Sequence, residues 1–291
     1  MDVLVAGGSG FVGRSLCRVL VDRGHAVTAL SRTPAESRLP VGVEPIAADV
    51  TEPGLDDVVD GHDAVVNLVA LPTHVQPRRR HEAVHYDGTC HLVAASERTS
   101  VDRFVQLSAL GVDEGIETAY FRAKRRAERV VREADLEWVI YRPSVVFGDG
   151  CAFLSFIEET APPLVIPLPG GGRLRTQPIW VADLAPMLAD GLEDDRHVGH
   201  CYEIGGPERL TLAETVRLVL GGGRIVSIPM PVAQVLAAIV EPLPWPPFGH
   251  DQYRVMELDN TTSENDVTAF DVESASLRTL SSYLAAREGR S

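Results

Sequence analysis

Tyr120 and Lys124 stand four residues apart and are the two side chains in this sequence best suited to moving a proton together. Lys124 is the only lysine among 27 basic residues, so an ammonium group is present where the chain otherwise uses guanidinium groups. An ammonium group can hydrogen-bond sugar hydroxyls and lower the pKa of a nearby phenol. The YxxxK spacing is common by chance, but the solitary lysine makes Tyr120 a candidate general acid or base.

The residues around this pair predict a helix with two different faces. At about 100° per residue, Tyr120, Lys124, Ala127, Val131 and Ala134 share one stripe, which we expect to face inward. The opposite face carries five arginines: Arg122, Arg125, Arg126, Arg129 and Arg132. We interpret that face as a solvated helix surface and not as a nucleic-acid site.

Ser108 is the third candidate for the chemistry, because it follows a predicted strand at residues 104–107 shortly before the helix. Its hydroxyl could donate a hydrogen bond to a substrate carbonyl while Tyr120 exchanges the proton. A serine in an ordinary strand-end turn is an equally good interpretation. The predicted catalytic set is Ser108, Tyr120 and Lys124.

A glycine-rich turn lies between the first predicted strand and the first predicted helix, in the segment VAGGSGFVG at residues 5–13. Glycines there permit a tight turn and let the main chain approach a diphosphate, while the helix N-terminus offers free N–H groups. The position of the motif, after a strand and before a helix, predicts a dinucleotide site. The expected contacts in this turn are Gly7, Ser9, Gly10, Phe11, Val12 and Gly13.

The end of the second strand indicates which dinucleotide would bind. Sites specific for NAD carry an acidic residue there, whereas this chain has Ser31 and Arg32. Arg32 could pair with a 2′-phosphate, which favours NADP(H) over NAD(H), although a solvated loop arginine is the alternative. Asp49 and Val50 follow the third strand, where we expect them to meet the adenine.

Strands and helices alternate through the first half of the chain. Strands are predicted at residues 3–6, 26–30, 64–70, 104–107 and 138–142, with helices at 11–23, 81–98 and 119–134 between them. This order predicts an α/β fold with a doubly wound parallel sheet of the Rossmann type. Prolines and glycines increase after residue 143, and we expect a small C-terminal α/β substrate lobe interleaved in sequence. The predicted domains are 1–146 with 177–206, and 147–176 with 207–291.

Composition excludes several classes of function. The formal net charge of -14 disfavours nucleic acid as a partner. An acidic chain that uses arginine in place of lysine indicates a halophilic source or a GC-rich genome. Four scattered cysteines, the lack of a long apolar run and the lack of a signal-peptide pattern predict a cytoplasmic protein.

The histidines give no metal site. His81 and His85 have the spacing of a zinc pair, but no third ligand accompanies them, and we interpret them as a surface pair. His197 and His200 are expected to be solvated. An apolar segment at residues 232–240 is interpreted as lobe core. The alternative is that it approaches a lipid or quinone together with Trp245 and Phe248.

Several segments together resemble the extended short-chain dehydrogenases/reductases, the relatives of sugar-nucleotide epimerases and dehydratases. They are the glycine turn, NLVA at 67–70, the YxxxK pair and RPSVVFG at 142–148. Further segments resemble the atypical branch around the Rossmann-type accessory subunit of respiratory complex I. These are LSALG at 107–111, PLPGGG at 167–172, QP at 177–178, VAD at 181–183, YEIGGP at 202–207, and DQY at 251–253 through DN at 259–260.

This resemblance implies a dinucleotide across the carboxyl edge of the sheet, with Lys124 on the nicotinamide ribose. It also implies contacts from two segments, which are Val69, Ala70 and Leu71, and Pro143, Ser144 and Val145. One departure is His85, where extended enzymes usually have asparagine. Complex I accessory members hold NADPH without established turnover, so a cofactor site does not by itself imply chemistry.

The sequence therefore predicts an NADP(H)-dependent oxidoreductase or epimerase-like enzyme acting on an unidentified carbonyl or alcohol. One alternative is a non-catalytic NADPH-holding accessory or assembly factor of a respiratory or quinone-biosynthesis complex, with possible peripheral attachment to the inner face of a membrane. Another is a redox-sensing regulator that acts through a protein partner. Oligomeric state is left open by the sequence.

Overall fold

The computed structural model describes residues 1–34, 39–71, 79–115, 117–162, 165–233, 235 and 258–289. The chain forms two compact units. The first unit comprises Met1–Pro143 and Val181–Tyr202, and the second comprises Ser144–Trp180 and Glu203–Ser291.

A seven-stranded sheet organises the first unit. Its strands are β1 (Asp2–Ala6), β2 (Ala26–Ser31), β3 (Val43–Ala47), β4 (Ala64–Asn67), β5 (Arg103–Leu107), β6 (Glu137–Pro143) and β11 (His200–Ile204), in the order β11-β6-β5-β4-β1-β2-β3. Strands β1 to β6 pair in parallel. The chain reverses its direction of travel across the sheet between β1 and β4, where ligands of such sheets bind. The predicted α/β Rossmann fold is confirmed.

Helices pack against this sheet because its central strands are apolar on both faces. They are α1 (Phe11–Asp22), α2 (Asp56–Val59), α3 (Arg79–His81), α4 (Gly88–Arg98), α5 (Ala119–Glu133) and α7 (Val181–Glu193). All four residues of β4 are buried, and Leu4, Val65, Phe104 and Ile140 belong to one hydrophobic core cluster.

The helix expected at residues 81–98 is interrupted. A π-helix at Glu82–Asp87 lies between α3 and α4. The three segments are consecutive, but they do not form one continuous α-helix. Short π-helical segments are rare and occur often at functional sites.

The second unit contains small sheets, three α-helices that lie wholly within the described residues, and two 3-10 helices at Asp266–Phe270 and Ser274–Ser276. Its strands β7 (Val146–Phe147), β8 (Val165–Pro169), β9 (Arg175–Thr176), β10 (Ile179–Trp180), β12 (Leu210–Thr211) and β13 (Arg224–Ile228) pair as β10-β7, β12-β9 and β13-β8. The helices are α6 (Ala152–Thr160), α8 (Leu212–Leu220) and α9 (Leu280–Glu288). Thr211 and Glu214 form a capping box at the start of α8.

Among the described residues, no helix has the length and apolar character needed to cross a bilayer. The apolar segment proposed at residues 232–240 lies mostly outside the described residues, as do Trp245 and Phe248. Val232 and Val235, which are described, are exposed.

Candidate functional site

The glycine turn is built by main chain at van der Waals contact. Gly7 has a φ of +84°, and its N–H donates to the Leu30 carbonyl at the end of β2 over 2.8 Å. A Cβ on Gly13 would lie 2.2 Å from the Gly7 carbonyl oxygen, so α1 can pack on the turn only without a side chain there. Helix α1 begins at Phe11 with no side-chain cap, which leaves its first N–H groups available to an anion.

A cavity of about 280 Å³ opens beside this turn. Ten of the residues predicted to contact a cofactor line it: Gly7, Ser9, Gly10, Ser31, Arg32, Asp49, Val50, Val69, Ala70 and Leu71. Four lining residues were missed from the sequence: Leu30, Ala48, Leu68 and Val84. All four are apolar; Leu30, Ala48 and Leu68 lie at or next to strand ends, whereas Val84 lies on the π-helix and had no signal in the sequence.

Polar groups line the cavity at the ends of β2 and β3. Asp49 Oδ1 accepts hydrogen bonds from the Thr51 N–H at 3.0 Å and the Thr51 hydroxyl at 2.8 Å. These bonds, with the nearby charge of Arg32, lower the pKa of Asp49. Ser31 Oγ is buried and has no hydrogen-bond partner within the described part of the chain, while Arg32 is exposed.

The predicted catalytic pair lies on α5. Lys124 is 3% exposed, and its Nζ donates to the Leu107 carbonyl at the end of β5 over 3.0 Å. Nζ lies 5.6 Å from the centre of the half-buried Tyr120 ring. Burial lowers the pKa of Lys124 to about 8, against the opposing charge of Glu128, and burial raises the pKa of Tyr120. Tyr120 is thus a protonated phenol at neutral pH, and burial alone makes its proton harder to remove.

Ser108 lies beside the carbonyl that Lys124 contacts. It is buried, and its N–H donates to the Tyr141 carbonyl at 2.7 Å. Its Oγ has no hydrogen-bond partner among the residues that the structure describes. A buried hydroxyl without a partner is costly, which is the behaviour of a group that awaits a ligand.

Not all predicted cofactor residues line the cavity. Phe11, Val12, Gly13, Lys124, Pro143, Ser144 and Val145 are not among its lining residues. The Pro143 carbonyl accepts from the Leu110 N–H, and the Val145 carbonyl accepts from the Ile179 N–H. Ser144 Oγ lies 2.7 Å from Asn260 Oδ1. The contacts expected from these three residues stay a prediction.

The interpretation of His81 and His85 as a surface pair is wrong. Both are buried, their rings stack with centres 5.6 Å apart, and both meet the Tyr120 ring edge to face. Both side chains face Tyr120 on α5, and the sequence spacing alone did not indicate this packing. Within the described ranges, no group of three potential metal ligands occurs. His197 is also buried, with Nδ1 2.8 Å from the Tyr202 hydroxyl, whereas His200 is exposed as expected.

The arginines of α5 are largely neutralised by acidic partners. Arg125 pairs with Glu117, Arg126 with Glu82, and Arg129 with Glu133. Arg122, Arg129 and Arg132 are exposed, and Arg125 and Arg126 are half-buried. This is the solvated face that the sequence indicated, and it offers little free positive charge.

A buried ion pair holds α5 to the sheet. Arg142 Nε and Nη2 donate to the two carboxylate oxygens of Glu128 at 2.9 and 2.6 Å. Arg132 also contacts Glu128, at 3.1 Å, and Asp113 contacts Arg142, at 2.6 Å. Because Glu128 lies one turn after Lys124, this pair fixes the helix that carries the candidate catalytic residues.

Comparisons with known proteins agree with this geometry. A family model described as NAD(P)H-binding matches residues 7–151. The mitochondrial NADH dehydrogenase (ubiquinone) 1 alpha subcomplex subunit 9 of Arabidopsis thaliana is 28% identical over 295 residues, which cover 92% of this chain and 73% of the plant protein. The 2-alkyl-3-oxoalkanoate reductase of Stenotrophomonas maltophilia is 30% identical over 277 residues, which cover 84% of each chain.

A solved structure, MoeE5 in complex with UDP-glucose and NAD, superposes with a TM-score of 0.74 at 23% identity over 100% of both chains, which shows a shared fold. Fold, glycine turn and sequence relatives lead to one assignment. The chain belongs to the extended and atypical short-chain dehydrogenases/reductases, an NAD(P)H-binding superfamily that includes epimerase-type enzymes.

Proposed function

We propose that this protein is an NADP(H)-dependent oxidoreductase acting on a carbonyl or alcohol group. The observation that carries the proposal is the arrangement of the buried Lys124, the half-buried Tyr120 and the Ser108 hydroxyl, which has no partner among the described residues, on the sheet that forms the nucleotide cavity. When bound, the nicotinamide would supply or accept the hydride.

The residues of the chain would handle the substrate oxygen. Ser108 Oγ, which is buried without a partner among the described residues, would donate a hydrogen bond to that oxygen and orient it. Tyr120 would give its proton to the oxygen during reduction, leaving a phenolate that the neighbouring ammonium of Lys124 favours. The alcohol product keeps that proton, and Tyr120 regains one from solvent.

The cavity also supports a preference for NADP(H). Ser31 and Arg32 line the wall where an NAD-specific site would place an acidic side chain. A guanidinium group can hold a 2′-phosphate with two charge-assisted hydrogen bonds, and the unpaired Ser31 hydroxyl could add a third.

The test is a titration followed by turnover assays. Purified protein titrated with NADPH and NADH should bind NADPH more tightly. A panel of 3-oxo acids, ketones and aldehydes with NADPH should show oxidation of the cofactor that Tyr120→Phe lowers by about 100-fold or more, since general acid catalysis is removed. Tyr120→Phe should leave the affinity for NADPH within about twofold, because the phenolic oxygen is outside the cavity lining. Tighter binding of NADH would overturn the cofactor preference.

A second candidate function is a non-catalytic NADPH-holding accessory or assembly factor. The similarity to a mitochondrial NADH dehydrogenase subunit over 92% of this chain favours it, as does His85 in place of the usual asparagine. In that case Tyr120→Phe should keep NADPH bound and cause no loss of function in cells. A substitution in the glycine turn should abolish both NADPH binding and the function in cells. A location in the cytoplasm, with peripheral attachment to the membrane, is part of this second proposal.

A further inference from the structure

His85 occupies an unusual position between the nucleotide cavity and α5. It lies on the π-helix and is 3% exposed. Its ring stacks on His81 and meets Tyr120 with ring centres 5.2 Å apart and planes at 84°. One side of the imidazole therefore contacts the candidate proton donor.

The other side of the imidazole reaches the cavity wall. His85 Nε2 accepts a hydrogen bond from the Leu71 N–H at 3.3 Å, and Leu71 lines the cavity. A ring nitrogen that accepts a hydrogen bond carries no proton, so the imidazole is neutral with its proton on Nδ1. Burial and the charges of Lys124 and His81 lower the pKa of His85 well below its usual range, which agrees with this state.

The same residue is linked to a second main-chain group of the wall. The His85 carbonyl accepts from the Thr89 hydroxyl at 2.7 Å, and Thr89 Oγ1 accepts from Asn67 Nδ2 at 3.1 Å. Asn67 Oδ1 in turn accepts from the Val69 N–H at 3.2 Å. The amides of Val69 and Leu71 are thus both held by a buried network that includes His85.

This wall segment lies directly against the glycine turn. A Cβ added to Gly7 would lie 3.2 Å from Leu68 C and Val69 N, so the wall leaves little room for a side chain on the turn. Any displacement of residues 68–71 must therefore change the space between the wall and the phosphate-binding turn.

We propose that His85 is a positioning residue, whose neutral imidazole fixes the Leu71 amide at the cavity wall and the Tyr120 ring beside it in one arrangement. The role rests on the proposed nucleotide site and goes beyond it. The expected asparagine at this position could not do the same, because an asparagine side chain reaches only as far as Nδ1. The Leu71 N–H at the cavity wall needs a hydrogen-bond acceptor at the position of Nε2.

The test compares three substitutions that differ in where an acceptor atom lies. His85→Gln places an oxygen near the position of Nε2, His85→Asn places one near Nδ1, and His85→Phe keeps a ring with no acceptor. Affinity is measured by calorimetry with NADP⁺ and NAD⁺. We expect His85→Gln to stay within about twofold of the parent, and His85→Asn and His85→Phe to lose about fivefold, the effect of one hydrogen bond.

Hydrogen exchange of the Leu71 amide in the unliganded protein gives an independent reading. It should be faster in His85→Asn and His85→Phe than in the parent and His85→Gln. The exposed His200, changed to Phe, is the control and should alter neither affinity nor this exchange. Equal affinity and equal exchange in all variants with unchanged melting temperature would overturn the role of His85. If neither nucleotide binds the parent, the proposed function fails, while the exchange rates still decide the role of His85.

Discussion

Two regions border the candidate site, and they are held by different physical means. The glycine turn at residues 7–13 is fixed mainly by main-chain atoms at contact distance, with one guanidinium contact from Arg14 to the Ser9 carbonyl at 2.8 Å. The inner face of α5 is fixed by buried ionisable side chains, namely Lys124, Glu128 and their partners. The first region should therefore respond mainly to added volume, whereas the second should respond to charge and pH.

Removing the carboxylate of Glu128 should have the largest effect on stability. Glu128→Ala removes the buried carboxylate that contacts the guanidinium of Arg142, while the exposed Asp113 remains in contact with it. Breaking a buried ion pair in this way costs about 3–5 kcal/mol of unfolding free energy. Denaturant unfolding measures it. The matched control is Glu133→Ala, whose carboxylate is 70% exposed and 3.8 Å from Arg129, and which should cost under about 0.5 kcal/mol. Equal costs for the two variants would refute the distinction between the regions.

Adding one methyl group should disrupt the glycine turn. In Gly13→Ala the new Cβ would lie 2.2 Å from the Gly7 carbonyl oxygen and 2.7 Å from Gly8 Cα, so α1 or the turn must move. We expect a loss of about 1–3 kcal/mol in stability and no measurable nucleotide binding. Gly61→Ala is the control, because Gly61 has a φ of +82° but open space around it. It should cost about 1 kcal/mol and leave binding intact.

The difference between main-chain contacts in the turn and side-chain contacts on α5 also explains how well each region could be predicted from the sequence. The turn depends on short-range features, glycines after a strand and before a helix, and the sequence therefore located it. The inward position of Lys124 follows from helical periodicity and was also predictable. His81 and His85 were misplaced because the spacing of two histidines carries no information on burial, which here comes from the packing of both rings against Tyr120 on α5. The pairing of Glu128 with Arg142 was missed because it joins a helix to a strand 14 residues away.

The single lysine makes the charge sensitivity of α5 directly measurable. Lysine-specific isotope labelling should give one side-chain signal, which titrates with a pKa of about 8 in place of 10.5. Between these two values the unfolded chain binds more protons at Lys124 than the folded chain, so unfolding free energy should rise with pH in this window. Subtracting the pH profile of Lys124→Met isolates this contribution. A signal that titrates near 10.5 would show that the ammonium is solvated and would remove the basis for its effect on Tyr120.

The smallest expected effect is on cofactor affinity, and it tests whether the charge of Arg32 at the cavity wall contributes to NADPH binding. Arg32→Ala should weaken NADPH binding by about tenfold, because a charge-assisted contact to the 2′-phosphate is lost, and should leave NADH binding unchanged. Arg18→Ala removes an exposed arginine from α1, outside the cavity lining, and controls for the general effect of charge on an anionic ligand. A loss shared equally by NADPH and NADH would mean that Arg32 acts only through this general attraction. A loss of NADPH affinity alone, seen in Arg32→Ala and not in Arg18→Ala, would place the discrimination between the two cofactors at the β2 end of the cavity. The glycine turn would then bind the diphosphate that both cofactors share.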